Sequence, residues 1–479
     1  MSDKYIIGVD NGSQSTKVLI FNQDGKAVVN MSQPLRPLIH RRPGYAEHPG
    51  DDLWDSIKAV LKKAMAEFSC IDEPSSIIGL GLCTIRCCRV LMKKDGTLHA
   101  PVMSWMDVRA YKKYRDSPGV AYTCPTTGYI TYRLTGEMKD TAANAFQWQF
   151  PVDMDTWRWT EDKTLFDKYK IPREKLLKLQ MPGTILGYVT EKAAIATGVP
   201  KGTPVVATAS DKAVEALGSG LIGPGTALIS LGTYTASMVH ALINRPATET
   251  YYTNFSCVPN EYLYESGGIR RGMSHVTWLK ELLGEEYAKK AESEGYGVED
   301  YLAKDALMLP PGSDGLLTVP DWLAPAEQQY RKGVIIGLRD IHTKAHLFRS
   351  LLEGLAMTLK NHYEAMISDL GLKPTMLIVS GGGSNSDLFM QIIADMYGVP
   401  AVRNEIGGAA ALGSAICAAT AVGLYATPRE AVKAMVRKRD EFKPNMENYN
   451  IYAKINDGVY KDLAPLLKPM LIRARDVTS

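Results

Sequence analysis

Ile6-Ile7-Gly8-Val9-Asp10-Asn11-Gly12-Ser13-Gln14-Ser15-Thr16-Lys17-Val18-Leu19-Ile20-Phe21 is an apolar run that ends in an aspartate, turns through a polar, glycine-containing segment and starts a second apolar run at once. That pattern predicts strand, tight turn, strand. The same grammar returns at Ala227-Leu228-Ile229-Ser230-Leu231-Gly232-Thr233-Tyr234-Thr235-Ala236-Ser237-Met238. Glycine lets backbone approach a ligand closely, and successive turn amides with Ser/Thr hydroxyls cradle phosphate oxygens. One such element alone reads as an ordinary β-hairpin. Two of them, one early and one mid-chain, predict paired hairpins facing each other across a nucleotide.

Bulk properties set the frame around these hairpins. A chain of 479 residues holds two or three domains with large cores. With 45% hydrophobic residues, 22% charged residues and a net charge of +3, there is no electrostatic case for nucleic acid or a membrane surface as partner. Met1-Ser2-Asp3-Lys4 leads straight into a strand and lacks the basic and long apolar regions of a signal peptide. Among seven cysteines, Cys83, Cys87 and Cys88 fit neither a zinc knuckle nor a redox pair, so reduced thiols and a cytoplasmic location are expected. The span from Gly407 to Ala426 carries no charge and is long enough to cross a bilayer. Its Ala and Gly content makes transfer into lipid weak, and a buried, closely packed helix is expected instead.

Strands are predicted over 5–10, 16–22, 26–32, 77–83 and 88–93, an amphipathic helix over 51–67 and a helical stretch over 119–135. The segment 151–185 reads as irregular. A strand at 203–208 leads into a helix from Asp211, and the second hairpin, 226–238, follows. Beyond about 245 the pattern restarts, with strands within 253–265, helices over 273–283, 343–369, 384–397 and 409–423, and a strand at 376–379. Two α/β halves result, 1–245 and 246–479.

Asp10 closes the first strand beside its turn, where a carboxylate orients a phosphate-bound magnesium ion or merely caps the turn. Lys17 just past the turn meets a terminal phosphate or is a solvated edge charge. Asp211, between an apolar strand and a helix, is either a helix N-cap or a general base aimed into a cleft. Ser380-Gly381-Gly382-Gly383-Ser384-Asn385-Ser386-Asp387 follows a strand and opens a helix without Walker or Rossmann spacing. It suits a base or ribose lying on bare backbone, or serves as a plain strand-to-helix turn.

Further segments, in order along nearly the whole chain, make it resemble the FGGY carbohydrate kinases. Gly333-Val334-Ile335-Ile336-Gly337-Leu338, then seven residues, then His346-Leu347-Phe348-Arg349-Ser350-Leu351-Leu352-Glu353 fits one of that family's two recognition patterns. Gly44-Tyr45-Ala46-Glu47-His48-Pro49, Trp105-Met106-Asp107-Val108-Arg109 and Arg133-Leu134-Thr135-Gly136 match as well, together with both hairpins, the Asp211 turn and the glycine triplet. Thr84-Ile85-Arg86-Cys87-Cys88-Arg89 and the run from Gly381 to Gln391 resemble segments of the uncharacterised sugar-kinase members of enteric bacteria.

The resemblance implies an α/β, two-domain actin-like (ribonuclease H-like) ATPase fold with an interdomain cleft, and ATP-dependent phosphorylation of a sugar or polyol. It implies Asp211 as catalytic base. Asp10, Gly12, Ser13, Gln14, Ser15 and Lys17, with Gly232 and Thr233, would hold the phosphates of Mg-ATP, and Asp10 would also serve the Mg²⁺ ion. Gly382, Gly383 and Ser386 would lie along the adenosine, with Gly272 and Thr277 near it. Glu47, Arg86, Trp105, Asp107 and Asp211 would face the sugar, and the protein would be a homodimer.

Departures from the family fall on the acceptor side. The segment between Arg109 and Arg133 is short, Cys87 replaces the family's polar residues, Thr141–Ala145 has no aromatic residue, and Pro320-Asp321-Trp322-Leu323-Ala324-Pro325 stands where another motif is usual. An actin-like ATP-binding protein without an acceptor, or a kinase-derived sugar sensor, would share the hairpins.

Overall fold

The computed structural model describes residues 3–146, 148–323, 328–405 and 408–478. The apolar runs that open the sequence become central strands, buried on both faces as strands covered by helices must be. The first sheet contains β1 (Tyr5–Asn11), β2 (Ser15–Asn22), β3 (Ala27–Pro34), β4 (Ile77–Thr84), β5 (Ile185–Tyr188) and β6 (Pro204–Ala207), in the order β5-β6-β4-β1-β2-β3. β1, β2 and β3 run antiparallel, β4 and β6 continue parallel to β1, and β5 closes the edge antiparallel.

The second sheet repeats this wiring. It contains β7 (Thr226–Leu231), β8 (Thr235–Ala241), β9 (Tyr251–Phe255), β10 (Tyr262–Ser266), β11 (Met376–Ser380), β12 (Ala401–Asn404) and β13 (Lys438–Phe442), in the order β9-β10-β8-β7-β11-β12-β13. The β7–β8 hairpin takes the place of β1–β2, β11 and β12 lie parallel to β7, and β13 is the antiparallel edge. β9 is an added strand. Because β7 and β8 pair with β10 and β11, the sheets change over before residue 226, where the sequence pattern had placed the break after 245.

Helices fill the faces. α1 (Asp52–Phe68) lays Leu53, Trp54, Ile57, Val60, Leu61, Ala64 and Phe68 on β2 and β3, the stripe its period predicts. The predicted helix over 119–135 is shorter: Tyr122–Cys124 is a strand, Pro125 breaks the run, and α2 (Thr126–Thr135) follows. α3 (Asp211–Gly218) leaves β6 as predicted. α4 (Ser274–Ser293) extends beyond the expected 283 because a second helical run continues past Gly284, whose φ of 75° breaks the axis. α5 (Lys344–Leu370), α6 (Asp387–Tyr397) and α7 (Ala409–Ala421) match their patterns. Of the Pro320–Pro325 segment, Ala324 and Pro325 lie outside the described residues.

α7 is the uncharged Ala/Gly helix, and it is buried. It belongs in sequence to the second half but lies on β1 and β4 of the first sheet and against α3. A Cβ at Gly8 would stand 2.0 Å from the Ala411 carbonyl oxygen, and one at Gly81 1.9 Å from that of Ser414. Gly218 and Gly413 make the same backbone-to-backbone approach between α3 and α7: a Cβ on either would stand 1.9 Å from a carbonyl oxygen of the other helix. Among the described residues no helix is long and apolar enough to cross a membrane. The segment 151–185 also joins the halves: Trp157 is buried with its ring 4.3 Å from Phe255, and its Nε1 donates to the Tyr262 hydroxyl at 3.3 Å.

Candidate active site

The two hairpin turns lie near one another: the charges of Asp211 and Glu215 bear on Asp10 of the first, and Glu215 bonds Ser230 at the foot of the second. In the first, Asp10 pairs in register with Lys17, and Gly12 N donates to Ser15 O at 3.0 Å to close the turn. Ser13 and Gln14 are exposed and Ser15 half-buried, while Gln14 O accepts from Leu35 N at 2.8 Å. In the second, Gly232 and Thr233 form the tip, and Gly232 O accepts from Met273 N at 3.1 Å. That bond docks the Gly272 turn onto the hairpin. A Cβ on Gly272 would collide with Thr235 Oγ1 at 1.7 Å, and one on Gly383 would approach the Leu231 side chain at 2.8 Å. Packing alone therefore brings Gly232, Thr233, Gly272, Gly382 and Gly383 together. Ser386 caps α6, accepting from Phe389 N at 3.3 Å, and Thr277 is exposed on the first turn of α4.

Three glycines at these turns are not required by the fold. Gly12, Gly232 and Gly382 do not have positive φ. A Cβ on Gly12 or Gly232 would meet nothing nearer than 3.5 Å, and one on Gly382 nothing within 4 Å. The open space in front of them is the kind a bound molecule fills.

Asp211 is the first residue of α3, and the capping role one reading gave it belongs to Ser210, which accepts from Ala213 N at 3.4 Å. The Asp211 carboxylate is thereby left facing the cleft, 28% exposed, with Oδ1 accepting from Lys212 N at 2.9 Å and lying 3.7 Å from Arg86 Nε. Burial raises its pKa, and Arg86 and Lys212 work against that rise. Burial also pushes the Asp10 carboxyl up to about 6; Lys17 opposes this, while Asp211 and Glu215 add to it. Crowded carboxylates of this kind welcome a divalent cation. Among the described residues no group of three or more His, Cys, Asp or Glu side chains is placed to hold a metal ion.

A part-buried network ties α3 to the Gly232 and Gly381 turns. Lys212 Nζ donates to Glu215 Oε2 at 2.8 Å and to Ser230 Oγ at 2.7 Å. Glu215 Oε1 accepts from Ser230 Oγ and from Ser380 Oγ, each at 2.8 Å. Ser230 lies just before the Gly232 tip and Ser380 just before the Gly381 turn. Burial disfavours the Lys212 ammonium, but Glu215 holds its pKa above the ordinary value.

Arg86 crosses from the first half to the second. Its two terminal nitrogens donate to the two oxygens of Glu265, both at 2.9 Å, and Tyr252 Oη stands at 3.4 Å. Glu265 is fully buried in β10; burial alone would raise its pKa, but Arg86 outweighs this and keeps it low. Arg109 holds Glu47 Oε1 and Asp107 Oδ2 at 2.6 Å each and stacks 3.8 Å over the Tyr45 ring. Asp107 departs from its expected place facing a sugar. It is fully buried, and both oxygens are taken, Oδ1 by the Arg109 backbone and Nε at 2.9 Å and Oδ2 by Ala46 N at 2.9 Å as well as by Arg109. Its part is to fix Arg109.

Trp105 is 36% exposed, and Tyr111, 42% exposed, donates to its carbonyl oxygen at 2.7 Å. Trp148, 38% exposed, points Nε1 at Cys87 Sγ at 3.4 Å. It stacks on Phe146 at 4.9 Å and meets Tyr252 edge-on at 5.9 Å. These aromatic residues lie just beyond 141–145, which has none. Cys87 holds a φ of 63°, a conformation costly for a side chain with a Cβ and one that gathers at functional sites.

Tyr111, Trp148, Tyr252, Glu265, Lys212 and Glu215 carry no signal in the motifs. Glu265 had one in principle, as a lone carboxylate inside a fully buried strand. Lys212 and Glu215 had another, as an i,i+3 ion pair directly after Asp211.

Away from Asp211 in the first half, the buried Asp140 Oδ1 accepts from Thr127 Oγ1 and, at 2.7 Å, from Thr141 N, and burial pushes its pKa up to about 7. A carboxyl that keeps its proton longer folded than unfolded contributes stability at low pH and loses it as pH rises through the folded pKa. Relative to Asp140→Asn, the wild-type protein should therefore lose melting temperature steadily between about pH 4 and pH 7. A constant difference between the two proteins across that range would show the shift to be absent.

Residues 5–116 and 120–218 match the N-terminal domain of the FGGY family of carbohydrate kinases, and residues 227–422 match its C-terminal domain. The gap between these matches coincides with the changeover between sheets. The chain is 45% identical to the uncharacterised sugar kinase YgcE of Escherichia coli K12, over 100% of this chain and 96% of that protein. Its fold is similar to that of a xylulose kinase from Rhodospirillum rubrum, with a TM-score of 0.81 at 25% identity over 98% of this chain and 100% of the other. A gluconate kinase from Lactobacillus acidophilus shares the fold at a TM-score of 0.81 and 21% identity, over 98% and 99% of the two chains.

Proposed function

This chain belongs to the FGGY family of carbohydrate kinases, and on that premise we propose that it transfers the γ-phosphoryl group of Mg-ATP to a hydroxyl of a sugar or polyol, with Asp211 as general base. The observation that carries this reading is the carboxylate of Asp211, released from capping by Ser210 and tied through Lys212 and Glu215 to the Gly232 and Gly381 turns.

Asp211 takes the proton of the acceptor hydroxyl as its oxygen bonds to the γ-phosphorus, and the bond to the β–γ bridging oxygen breaks to release ADP. Such transfer is largely positioning and charge stabilisation. Backbone amides of the Gly12 and Gly232 turns and the ammonium of Lys17 would receive the phosphates. Mg²⁺ bound on the Asp10 side supplies neutralisation of the phosphate charge. Gly382 and Gly383 offer bare backbone to the adenosine. Closing the halves around the acceptor excludes water, which otherwise competes for the phosphoryl group. The Arg86–Glu265 pair, which joins the halves at the acceptor side, fixes one point of that closure.

ADP release measured with a panel of ketoses, pentitols, glycerol and acidic sugars tests the reading. At least one acceptor should stimulate ADP formation, with an equal amount of phosphorylated product. ATP binding without stimulation by any acceptor would favour an actin-like ATP-binding protein or a sugar sensor.

The glycine observation gives a separate result. Gly12→Ala and Gly382→Ala should leave stability within about 0.5 kcal/mol of wild type, because no protein atom resists the added methyl. Both should raise the KM for ATP. Lost stability with an unchanged KM would place these glycines in the fold and not in the nucleotide site.

A further inference from the structure

The two hairpins repeat one wiring but differ in chemistry at their roots. In the first, Asp10 stands two residues before Gly12; in the second, Ser230 stands two residues before Gly232. A carboxylate on one side is thus matched by a hydroxyl on the other, and that hydroxyl carries an ammonium. Lys212 Nζ donates to Ser230 Oγ at 2.7 Å and to Glu215 Oε2 at 2.8 Å. An ammonium has three N–H groups. The third on Lys212 has no partner among the described residues, and the side chain keeps 14% of its surface open. Its charge bears on Asp10 of the first hairpin as well as on Asp211 and Glu265.

Holding the fold together is a poor reason for this lysine. Glu215 Oε1 accepts from Ser230 and Ser380 at 2.8 Å each, so α3 is joined to β7 and β11 without it. A largely buried ion pair also costs desolvation that its attraction barely offsets, and apolar side chains of similar volume often fill such places with no loss of stability. What the two bonds do achieve is to fix an ammonium at the root of the Gly232 hairpin, one residue along from Asp211.

We infer that Lys212 is a further catalytic residue, whose ammonium touches the γ-phosphoryl group as it passes from ATP to the acceptor. This inference rests on the kinase reading above and adds a group to it. In-line transfer spreads negative charge over the three equatorial oxygens of that group. Lys17 meets this charge from the first hairpin and Lys212 from the second. A donor already held by Ser230 and Glu215 needs no reorganisation as the charge develops.

The test separates an ammonium that touches phosphate from one that only neutralises Glu215. Glu215→Gln removes the charge to be neutralised and keeps an oxygen for Ser230 and Ser380, so Lys212→Met is measured both in the wild-type protein and in the Glu215→Gln protein. In both it should lower kcat by about 10²-fold or more. In the Glu215→Gln protein it should also weaken Mg–AMP-PNP, which has a γ-phosphoryl group, by about tenfold or more in calorimetric titration. Mg–ADP, which has none, should change by less than about threefold. A Lys212→Met change that is silent on kcat in the Glu215→Gln protein, or that weakens both nucleotides equally, would overturn the inference and leave the kinase reading standing. If wild type phosphorylates no acceptor, the kinase reading fails, and the pair of nucleotide affinities decides the inference alone. Should Lys212→Met fail to fold, Lys212→Gln, a neutral side chain that still donates a hydrogen bond, is held to the same results.

Discussion

Asp211→Asn should lower acceptor-dependent turnover by about 10²- to 10⁴-fold, the span expected when a general base is removed. The structure makes the substitution unusually clean. Ser210, not Asp211, caps α3, so the helix keeps its first turn. An Asn oxygen can still accept from Lys212 N, the bond Asp211 Oδ1 makes at 2.9 Å. The Gly232 and Gly381 turns are held by Lys212, Glu215, Ser230 and Ser380, none of which changes. Melting temperature and the KM for ATP should therefore stay close to wild type while kcat collapses. Because burial raises the Asp211 pKa, wild-type kcat/KM should also fall as pH is lowered, at a higher pH than an ordinary aspartate would set, as the base takes up its proton. Wild-type turnover in the Asn variant would remove Asp211 from the chemistry.

Gly81→Ala should be among the most damaging single-methyl changes in the molecule. Gly81 and Gly8 stand side by side on β4 and β1 and form the trough in which α7 lies. A methyl at Gly81 would fall 1.9 Å from the Ser414 carbonyl oxygen and 2.4 Å from its carbon. Both are backbone atoms, so relief requires moving the helix and with it the Gly218–Gly413 contact to α3, the helix that carries Asp211. Overpacking of this kind costs about 3 kcal/mol or more. The expected results are a lowered melting temperature and loss of turnover together. Gly223→Ala, where an added Cβ meets nothing within 4 Å, is the matched control and should be silent. A Gly81→Ala protein as stable as that control would mean α7 is not seated as described.

Much of this arrangement is legible from sequence because it follows from local rules. Period-two burial, turn chemistry and the stripe of α1 identify the hairpins and helices, and the ordered motifs identify the family. The division between halves is not legible in the same way. Thr226–Ala241 follows α3 after a short loop, and only its pairing partners, β10 and β11, assign it to the second sheet. Within 119–135 the helix starts only after Pro125, whose fixed φ and missing N–H end any helical run that would precede it. Asp107 matched a motif, but the motif is silent on which way its carboxylate points. Arg86–Glu265 and Trp148–Tyr252 join residues more than a hundred positions apart, and no spacing rule reaches that far.

The placement of α7 also bears on how the chain is made. β1 and β4 are complete by Thr84, yet the helix that covers their Gly8 and Gly81 trough ends at Ala421. At synthesis rates of about 5–20 residues per second, that face waits roughly 20–70 s for its cover. For that interval the nascent first half exposes an apolar, glycine-grooved sheet surface, the kind of surface chaperones hold. A fragment that stops before α7 would carry the same open trough permanently, so the two halves are partners in folding as well as in the cleft.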